Sequence, residues 1–305
     1  QLLSSDYLIY RCIGLPFYLL NMHSTAVLRG LKYAKITLYS AIIVSISNVV
    51  FSLFFGLYLG YGASGIGFAS SVAFFIASIY SVTVLKKQQS HLNVSYEDVD
   101  KANMRKKFFS VGSYIVIRSL FLTLFFAYIR NRAALMSMDE IALQHILLQL
   151  WSVGYIFVDA VAIAAQTLIA ELISKKEKYQ NSLLQKELIS VTTIISLILS
   201  VIPLIFLESF IEIFTGDRFD LFVDFRLKVM VSISLLIGCF AFLWDGVLLG
   251  LDKSKEFSLL SILSATAGFL ICNYLLMYQN TIEILWVSIN VSLAVRAVLG
   301  YLYQK

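Results

Sequence analysis

Apolar runs of about twenty residues recur along the whole chain, and no other feature of the sequence constrains its fold as strongly. A helix rises about 1.5 Å per residue, so each run is long enough to cross about 30 Å of hydrocarbon. Hydrophobic residues make up 59% of the 305 residues and charged residues only 14%, whereas soluble domains are about 45–50% apolar and about 25% charged. The sequence therefore predicts an all-α polytopic membrane protein and excludes a soluble globular domain.

Nine predominantly apolar windows bounded by charges or turn residues each predict one transmembrane helix. The only long polar segment, residues 88–106, is predicted to be a cytoplasmic linker. It separates a partial amino-terminal bundle of three spans at 1–87 from a six-helix bundle at 107–305. The nine predicted spans are approximately Tyr7–Leu28, Ile36–Tyr58, Ser64–Leu85, Phe108–Ile129, Ile141–Leu168, Leu188–Leu207, Val229–Gly250, Phe257–Met277 and Ile282–Tyr303.

The basic residues are distributed unequally between the two sides of the predicted membrane. Of the 24 Lys and Arg residues, sixteen lie on one side, five lie on the other, and Arg11, Arg118 and Arg296 lie within spans. Basic loops face the cytoplasm in membrane proteins. The chain is therefore predicted to begin outside and end inside a plasma (inner) membrane, and a start on the outside leads us to expect further spans before residue 1.

A weak internal repeat relates the first three spans to the last three. A shift of 220 residues places Leu28–Leu31 over Leu248–Leu251 and Lys35 over Lys255, and it keeps both segments in the same orientation. Parallel repeats of this kind are common in transporters. If spans one to three repeat as seven to nine, spans four to six lack a counterpart. The complete protein is then expected to have twelve helices in two six-helix bundles.

Four charged residues within the predicted spans are the main candidates for ion coupling. Asp159 and Arg118 lie near mid-membrane, and Asp245 and Arg296 lie in the cytoplasmic half. A charge near the bilayer centre costs at least about 2.5–3.5 kcal/mol, so each needs a partner or a wet cavity. Either the carboxylates bind a proton or cation and release an Arg partner, or Asp159 with Arg118 and Asp245 with Arg296 form static pairs that fix helix packing.

Four amides within spans are candidates for a substrate path. Asn21 and Asn48 lie in the first two spans, and Gln149 and Gln166 lie in the span of Asp159. The alternative is that they form hydrogen bonds between helices, worth about 0.6 kcal/mol each.

Several classes of function are excluded by what the sequence lacks. It contains no Walker A loop, no H-E-x-x-H or G-x-S-x-G pattern and no Cys/His cluster, so neither an enzyme nor a cofactor or metal site is predicted. Cytoplasmic loops account for the net charge of +5, so no nucleic-acid partner is expected. The expected partners are the lipid bilayer and a small organic substrate, and the protein is expected to be monomeric.

Segments in the right order resemble those of a known transporter family. Tyr10–Phe17 with the following Leu28–Leu31 resembles a Y-x-x-I-R-x-x-G-x-P…L-R-G segment, and Gly62–Ala69 resembles G-V-A-G-A-A-L-A. Leu147–Trp151 is similar to L-L-Q-L, and Phe242–Val247 is similar to F-L-x-D-G-V. These patterns belong to the multidrug and toxic compound extrusion (MATE) transporters, in their DinF-like branch. The resemblance runs from the family's fourth helix to its twelfth.

The resemblance implies a secondary active antiporter that exports amphipathic, cationic small molecules in exchange for H⁺ or Na⁺. Two departures bear on the coupling ion. Ser52 stands where the family's fifth helix often has Asp, and Asp159–Gln166 lacks the Gly, His and Glu of the D-G-F-A-H-A-A-E pattern. Coupling through the amino-terminal bundle therefore does not carry over to this chain.

Two other functions stay open at the level of sequence. Lipid-linked oligosaccharide flippases share this architecture, and fold alone does not determine cargo. Their cavities usually need several basic residues for a pyrophosphate, and only three arginines lie within spans here. The chain is alternatively a non-transporting, truncated remnant, and a genomic read upstream of Gln1 distinguishes this last case.

Overall fold

The structure, a computed structural model, describes residues 2–89, 100–176, 178–215 and 224–304. The chain divides into two compact units, one up to residue 99 and the other from residue 100. Regular structure is helical throughout, with no strand among the described residues. Eight helices in these ranges are long and apolar enough to cross a membrane. The predicted all-α, multi-pass membrane class is confirmed.

The first unit consists of four α-helices and a π-helical segment. Its central helix, α4, packs against each of the other helices and presents the small buried side chains of Ala69, Ala73 and Ala77. Small residues let helix backbones approach closely, which is how helices associate where lipid removes the hydrophobic driving force. The elements are α1 (Leu2–Ile13), α2 (Leu15–Gly30), α3 (Ala34–Phe51), the π-helix (Ser52–Tyr58) and α4 (Gly62–Gln89).

The predicted first span, Tyr7–Leu28, is divided into α1 and α2 at Gly14. Pro16 lies in the first turn of α2, where its missing N–H is tolerated. Within one continuous helix the same proline would leave the carbonyl of Cys12 without its donor and would clash with the preceding turn. Two shorter helices therefore replace one long span, and the count of nine spans stays a prediction.

The second unit contains six helices built around α8. This helix packs against α6, α7 and α10, while α5 packs mainly against α9. The apolar core includes Leu147, Val231, Leu285 and Trp286, all fully buried. The elements are α5 (Lys101–Ala134), α6 (Met138–Ser174), α7 (Lys178–Thr215), α8 (Phe225–Gly250), α9 (Ser254–Leu276) and α10 (Ile282–Tyr303).

The ends of the predicted linker 88–106 are helical. Helix α4 continues to Gln89, and α5 begins at Lys101, where the carboxylate of Asp100 accepts hydrogen bonds from the amides of Ala102 and Asn103. This cap satisfies N–H groups that have no partner within the helix. Residues 90–99 of the predicted linker lie outside the described residues.

Two turns separated by 220 residues in sequence have the same geometry, in agreement with the repeat seen in the sequence. Lys32, after α2, has φ of 65°, and Asp252, after α8, has φ of 60°. In each turn the next residue donates its N–H back to the leucine carbonyl five positions earlier, Tyr33 to Leu28 at 2.8 Å and Lys253 to Leu248 at 2.9 Å. A residue in the left-handed region closes the last helical turn in this way.

Helices α6 and α8 approach so closely that a side chain does not fit at the contact. A Cβ added at Gly246 would lie 2.2 Å from the backbone oxygen of Ala162, and one at Gly250 would lie 2.9 Å from that of Gln166. Real Cβ atoms essentially never come within 3.0 Å of a neighbouring atom. Glycine at these positions therefore sets the distance between the two helices.

We predict that Gly246→Ala destabilises the second unit by about 1–3 kcal/mol, because the new methyl group forces two backbones apart. The matched control is Gly112→Ala on α5, where a Cβ meets nothing within 4 Å among the described residues. That change should be neutral or slightly stabilising, by up to about 1 kcal/mol. Thermal melting in detergent measures both, and equal melting temperatures for the two variants would show that the contact is unimportant.

Candidate functional site

Asp245 of α8 accepts hydrogen bonds from two arginines of other helices. Arg296 of α10 donates from Nε to Oδ1 at 3.1 Å and from Nη2 to Oδ2. Arg118 of α5 donates from Nη2 to the same Oδ2 at 2.7 Å. Asp245 and Arg296 are only 7% and 5% exposed. One buried carboxylate is thus shared by two guanidinium groups, and this triad has a net charge of +1.

Aromatic rings and a hydroxyl group hold the two guanidinium groups in place. The guanidinium carbon of Arg118 lies 4.3 Å from the ring centre of Phe257, and that of Arg296 lies 4.9 Å from the ring centre of Phe242. Arg118 also donates from Nε to the hydroxyl oxygen of Ser261 at 3.0 Å. A cation over a ring gains about 2 kcal/mol when both are desolvated. The arginines are therefore stabilised by more than their shared carboxylate.

Asp159 and the triad together form a charge cluster of two carboxylates and two guanidinium groups. The environment of Asp159 differs from that of the buried Asp245. Its side chain is exposed on α6, yet its negative charge acts on the guanidinium groups of both Arg118 and Arg296. With Asp159 ionised, the two carboxylates and two guanidinium groups sum to zero charge. With Asp159 protonated, the cluster becomes positive by one unit.

The close approach of α6 and α8 explains why Asp159 lies near the triad. Asp245 directly precedes Gly246, and Asp159 comes three residues before Ala162, the residue whose carbonyl meets Gly246. One helical turn separates residues three or four apart. The backbone contact therefore brings the Asp159 turn of α6 to the Asp245 turn of α8.

The observed ion pairs differ in part from the pairs predicted from the depth of each residue in the membrane. The pairing of Asp245 with Arg296 is found, but the ion pair of Arg118 is with Asp245, not with Asp159, among the described residues. Sequence distance measures how deep a residue lies and not which way its helix faces. Helix α5 packs mainly on α9, and this contact turns Arg118 toward the carboxylate of α8.

A second ion pair links the beginning of α5 to the turn that follows α8. Lys107 Nζ lies 2.5 Å from Asp252 Oδ2, and both side chains are exposed. Arg118 is eleven residues beyond Lys107 on α5, and Asp245 is seven residues before Asp252, or about 16 and 10 Å along the helices. One ion pair therefore lies at the exposed end, and the other lies deep among the helices.

Two of the predicted path residues belong to a neutral network in the first unit. Asn21 Oδ1 accepts a hydrogen bond from Ser40 at 2.8 Å. Asn48 accepts one from Ser52 at 3.1 Å and donates to Ser70 at 3.4 Å. Ser52 is also the first residue of the π-helix, a form found often at functional sites. These contacts join α3 to α2 and α4, and a role in a substrate path stays a prediction.

The other two path candidates, Gln149 and Gln166, are exposed on α6 with Asp159, and a role in a substrate path stays a prediction for them too.

Gln144, on the same helix, was not among the residues predicted from the sequence, although it is only 2% exposed. Its Oε1 accepts from the indole N–H of Trp286 at 3.0 Å, while its Nε2 has no partner among the described residues. The one feature of the sequence that could have identified Gln144 is its position beside Leu143 on the buried face of α6. Nothing in the sequence distinguishes Ser261, which accepts the hydrogen bond from Arg118, from other serines.

No group of three or more His, Cys, Asp or Glu side chains suited to a metal ion occurs in the part of the chain that the structure describes.

We predict that Asp245→Asn lowers the stability of the second unit by about 3–5 kcal/mol, because it leaves two buried guanidinium groups without a carboxylate. Asp159→Asn is the comparison, and its exposed side chain should leave the melting temperature nearly unchanged. Replacing the whole triad by apolar residues, Asp245→Leu with Arg118→Met and Arg296→Met, should recover much of the loss. Equal melting of the two single variants would contradict the structural role of the triad.

Sequence relatives cover almost the whole chain at low identity. The chain is 23% identical over 299 residues to Protein DETOXIFICATION 44, chloroplastic, of Arabidopsis thaliana, covering 97% of the chain and 56% of that protein. It is 24% identical over 294 residues to DNA damage-inducible protein F of Escherichia coli, covering 95% and 63%. It thus spans little more than half the length of these relatives. No protein-family model matches it.

A shorter match and a solved structure complete the comparison. Lipid II flippase MurJ of Thermosipho africanus is 34% identical over 85 residues, which are 28% of this chain and 18% of that protein. An outward-facing multidrug resistance MATE family transporter of the MOP superfamily has a TM-score of 0.82 at 15% identity, over 93% of this chain and 64% of that one. The solved structure establishes the fold. Together with the relatives that cover almost the whole chain, it confirms the resemblance read from the motifs, which is to the MATE transporters in their DinF-like branch.

Proposed function

We propose that this chain forms part of a secondary active antiporter that exports amphipathic, cationic small molecules in exchange for H⁺ or Na⁺. The similarity to transporters and the eight apolar helices support transport across a bilayer. In this proposal the chain contributes nine spans of a twelve-helix, monomeric protein of the inner membrane. The distribution of basic residues supports an outer amino terminus and a cytoplasmic carboxyl terminus for the chain.

The observation that carries the proposal is the position of Asp159 beside a buried triad of charge +1. Asp245 already accepts three hydrogen bonds from two guanidinium groups, which repel any further cation at that carboxylate. Asp159 is exposed and makes the cluster neutral when it is ionised. Of the two carboxylates, Asp159 is therefore the better site for the coupling ion, while Asp245 holds the arginines.

Competition for one negative charge then explains antiport. When Asp159 is ionised, its carboxylate attracts a cationic substrate on the exposed face of α6, where Gln149 and Gln166 also lie. When Asp159 takes up a proton or a sodium ion, the charge of the cluster rises by one, and a cationic substrate is repelled. Ion binding and substrate binding are coupled with opposite sign, and this coupling is reciprocal.

The test uses the complete gene in a strain that lacks its own multidrug pumps. We expect efflux of a fluorescent organic cation that stops when the coupling gradient, H⁺ or Na⁺, is collapsed. Asp159→Asn should abolish this gradient-driven efflux between pH 6 and 8, because the amide has no titratable group. The matched control is Asp139→Asn, an exposed carboxylate in the first turn of the same helix, which should transport like the wild type. Wild-type efflux by the Asp159→Asn protein would end the claim for that residue.

A lipid-linked oligosaccharide flippase is the second candidate, and one observation favours it. One segment of 85 residues is similar to a lipid II flippase. This function predicts that deletion of the gene blocks export of a lipid-linked precursor and leaves resistance to organic cations unchanged. The antiporter predicts the reverse, so assaying both in one deletion strain decides between them.

A further inference from the structure

The first two turns of α5 extend beyond the apolar part of that helix. Helix α5 has 34 residues, or about 51 Å at 1.5 Å per residue, whereas the hydrocarbon core is about 30 Å thick. Lys101, Arg105, Lys106 and Lys107 all lie in this extension, and the apolar stretch begins at Phe108. Every residue from 101 to 110 is exposed. This segment therefore lies at the level where lipid headgroups meet the hydrocarbon.

Basic and apolar side chains share one face of the segment. Lys101, Met104, Arg105 and Phe108 follow the i, i+3, i+4, i+7 spacing that places residues on one side of a helix. Met104 and Phe108 are 60% and 71% exposed, and neighbouring Phe109 is 70% exposed. Arg105 and Lys101 lie about 4.5 and 10.5 Å nearer the start of the helix than Phe108. Phe108 and Phe109 thus lie on the hydrocarbon side of both positive charges, and Met104 lies between the two charges along the helix.

Two positive charges of this face have no ion pair among the described residues. Lys107 points elsewhere and pairs with Asp252. Asp100 directly precedes Lys101, and its side-chain oxygen accepts hydrogen bonds from the amides that begin the helix. Neither Lys101 nor Arg105 has a carboxylate within 4.0 Å among the described residues, and Arg105 donates only to a backbone carbonyl of its own helix. Within the described part of the chain, the face therefore presents positive charge without an ion-pair partner.

We propose that this face, Lys101 to Phe109, binds an anionic phospholipid. Arg105 and Lys101 bind the phosphate and the acidic headgroup, and Met104, Phe108 and Phe109 contact the acyl chains. The predicted orientation places this end of α5 at the cytoplasmic leaflet, whose surface is negative. A zwitterionic lipid offers the same acyl chains without the net charge, so the site should select by headgroup. The site lies outside the charge cluster and does not depend on the transport activity.

The experiment measures local lipid contact in the purified full-length protein. Phe108→Trp serves as the reporter, and brominated phosphatidylglycerol or brominated phosphatidylcholine with the same acyl chains quenches its fluorescence on contact. The protein without the reporter gives the background from the three native tryptophans. We expect phosphatidylglycerol to be preferred. Lys101→Gln with Arg105→Gln should weaken its binding about twenty-fivefold, at about fivefold for each basic residue, and leave phosphatidylcholine unaffected.

Two controls separate this proposal from its alternatives. Arg130→Gln with Arg226→Gln removes the same charge from exposed positions elsewhere in the second unit and should keep the preference. Soluble glycerol 3-phosphate should not displace the brominated lipid, because it lacks acyl chains. Equal quenching by the two lipids, an equal loss in the control variant, or displacement by the soluble phosphate would each overturn the lipid site. Unchanged melting temperatures confirm that the variants are folded.

Discussion

The shared carboxylate of Asp245 is the interaction on which the second unit depends. It joins α8 to α5 and α10 through two guanidinium groups, in a place where water does not compete. A buried charge is tolerated only when its partners remain in position. The arrangement of three helices is therefore linked to the protonation and position of one side chain, and any movement of α5 or α10 must give Arg118 or Arg296 a new partner.

Backbone contact between α6 and α8 makes this triad part of a larger site. Gly246 allows the carbonyl of Ala162 to approach, and this contact brings Asp159 near the two arginines. The result is a buried carboxylate that holds two arginines beside an exposed carboxylate that has no ion pair among the described residues.

The two units use different polar chemistry to join their helices. In the first unit, neutral groups such as Asn21 with Ser40 and Asn48 with Ser52 form the contacts, and a π-helix begins at Ser52. In the second unit, full charges join α8 to α5 and α10, beside neutral contacts such as that of Gln144 with Trp286. A serine at position 52 carries no charge at physiological pH, unlike the four charged residues of the cluster in the second unit.

The sequence by itself determined the membrane class, the family resemblance and the four charged residues of the cluster, because apolar length and intramembrane charge are properties that can be counted along a chain. It placed Asp245 with Arg296 correctly. Only the tertiary structure decided that Arg118 joins Asp245 and that Asp159 acts on the arginines from an exposed position. Those facts depend on the rotation of each helix about its axis and on the close contact at Gly246. Linear spacing gives the depth of a residue in the membrane, but the direction of its side chain is set by the helices that pack against it.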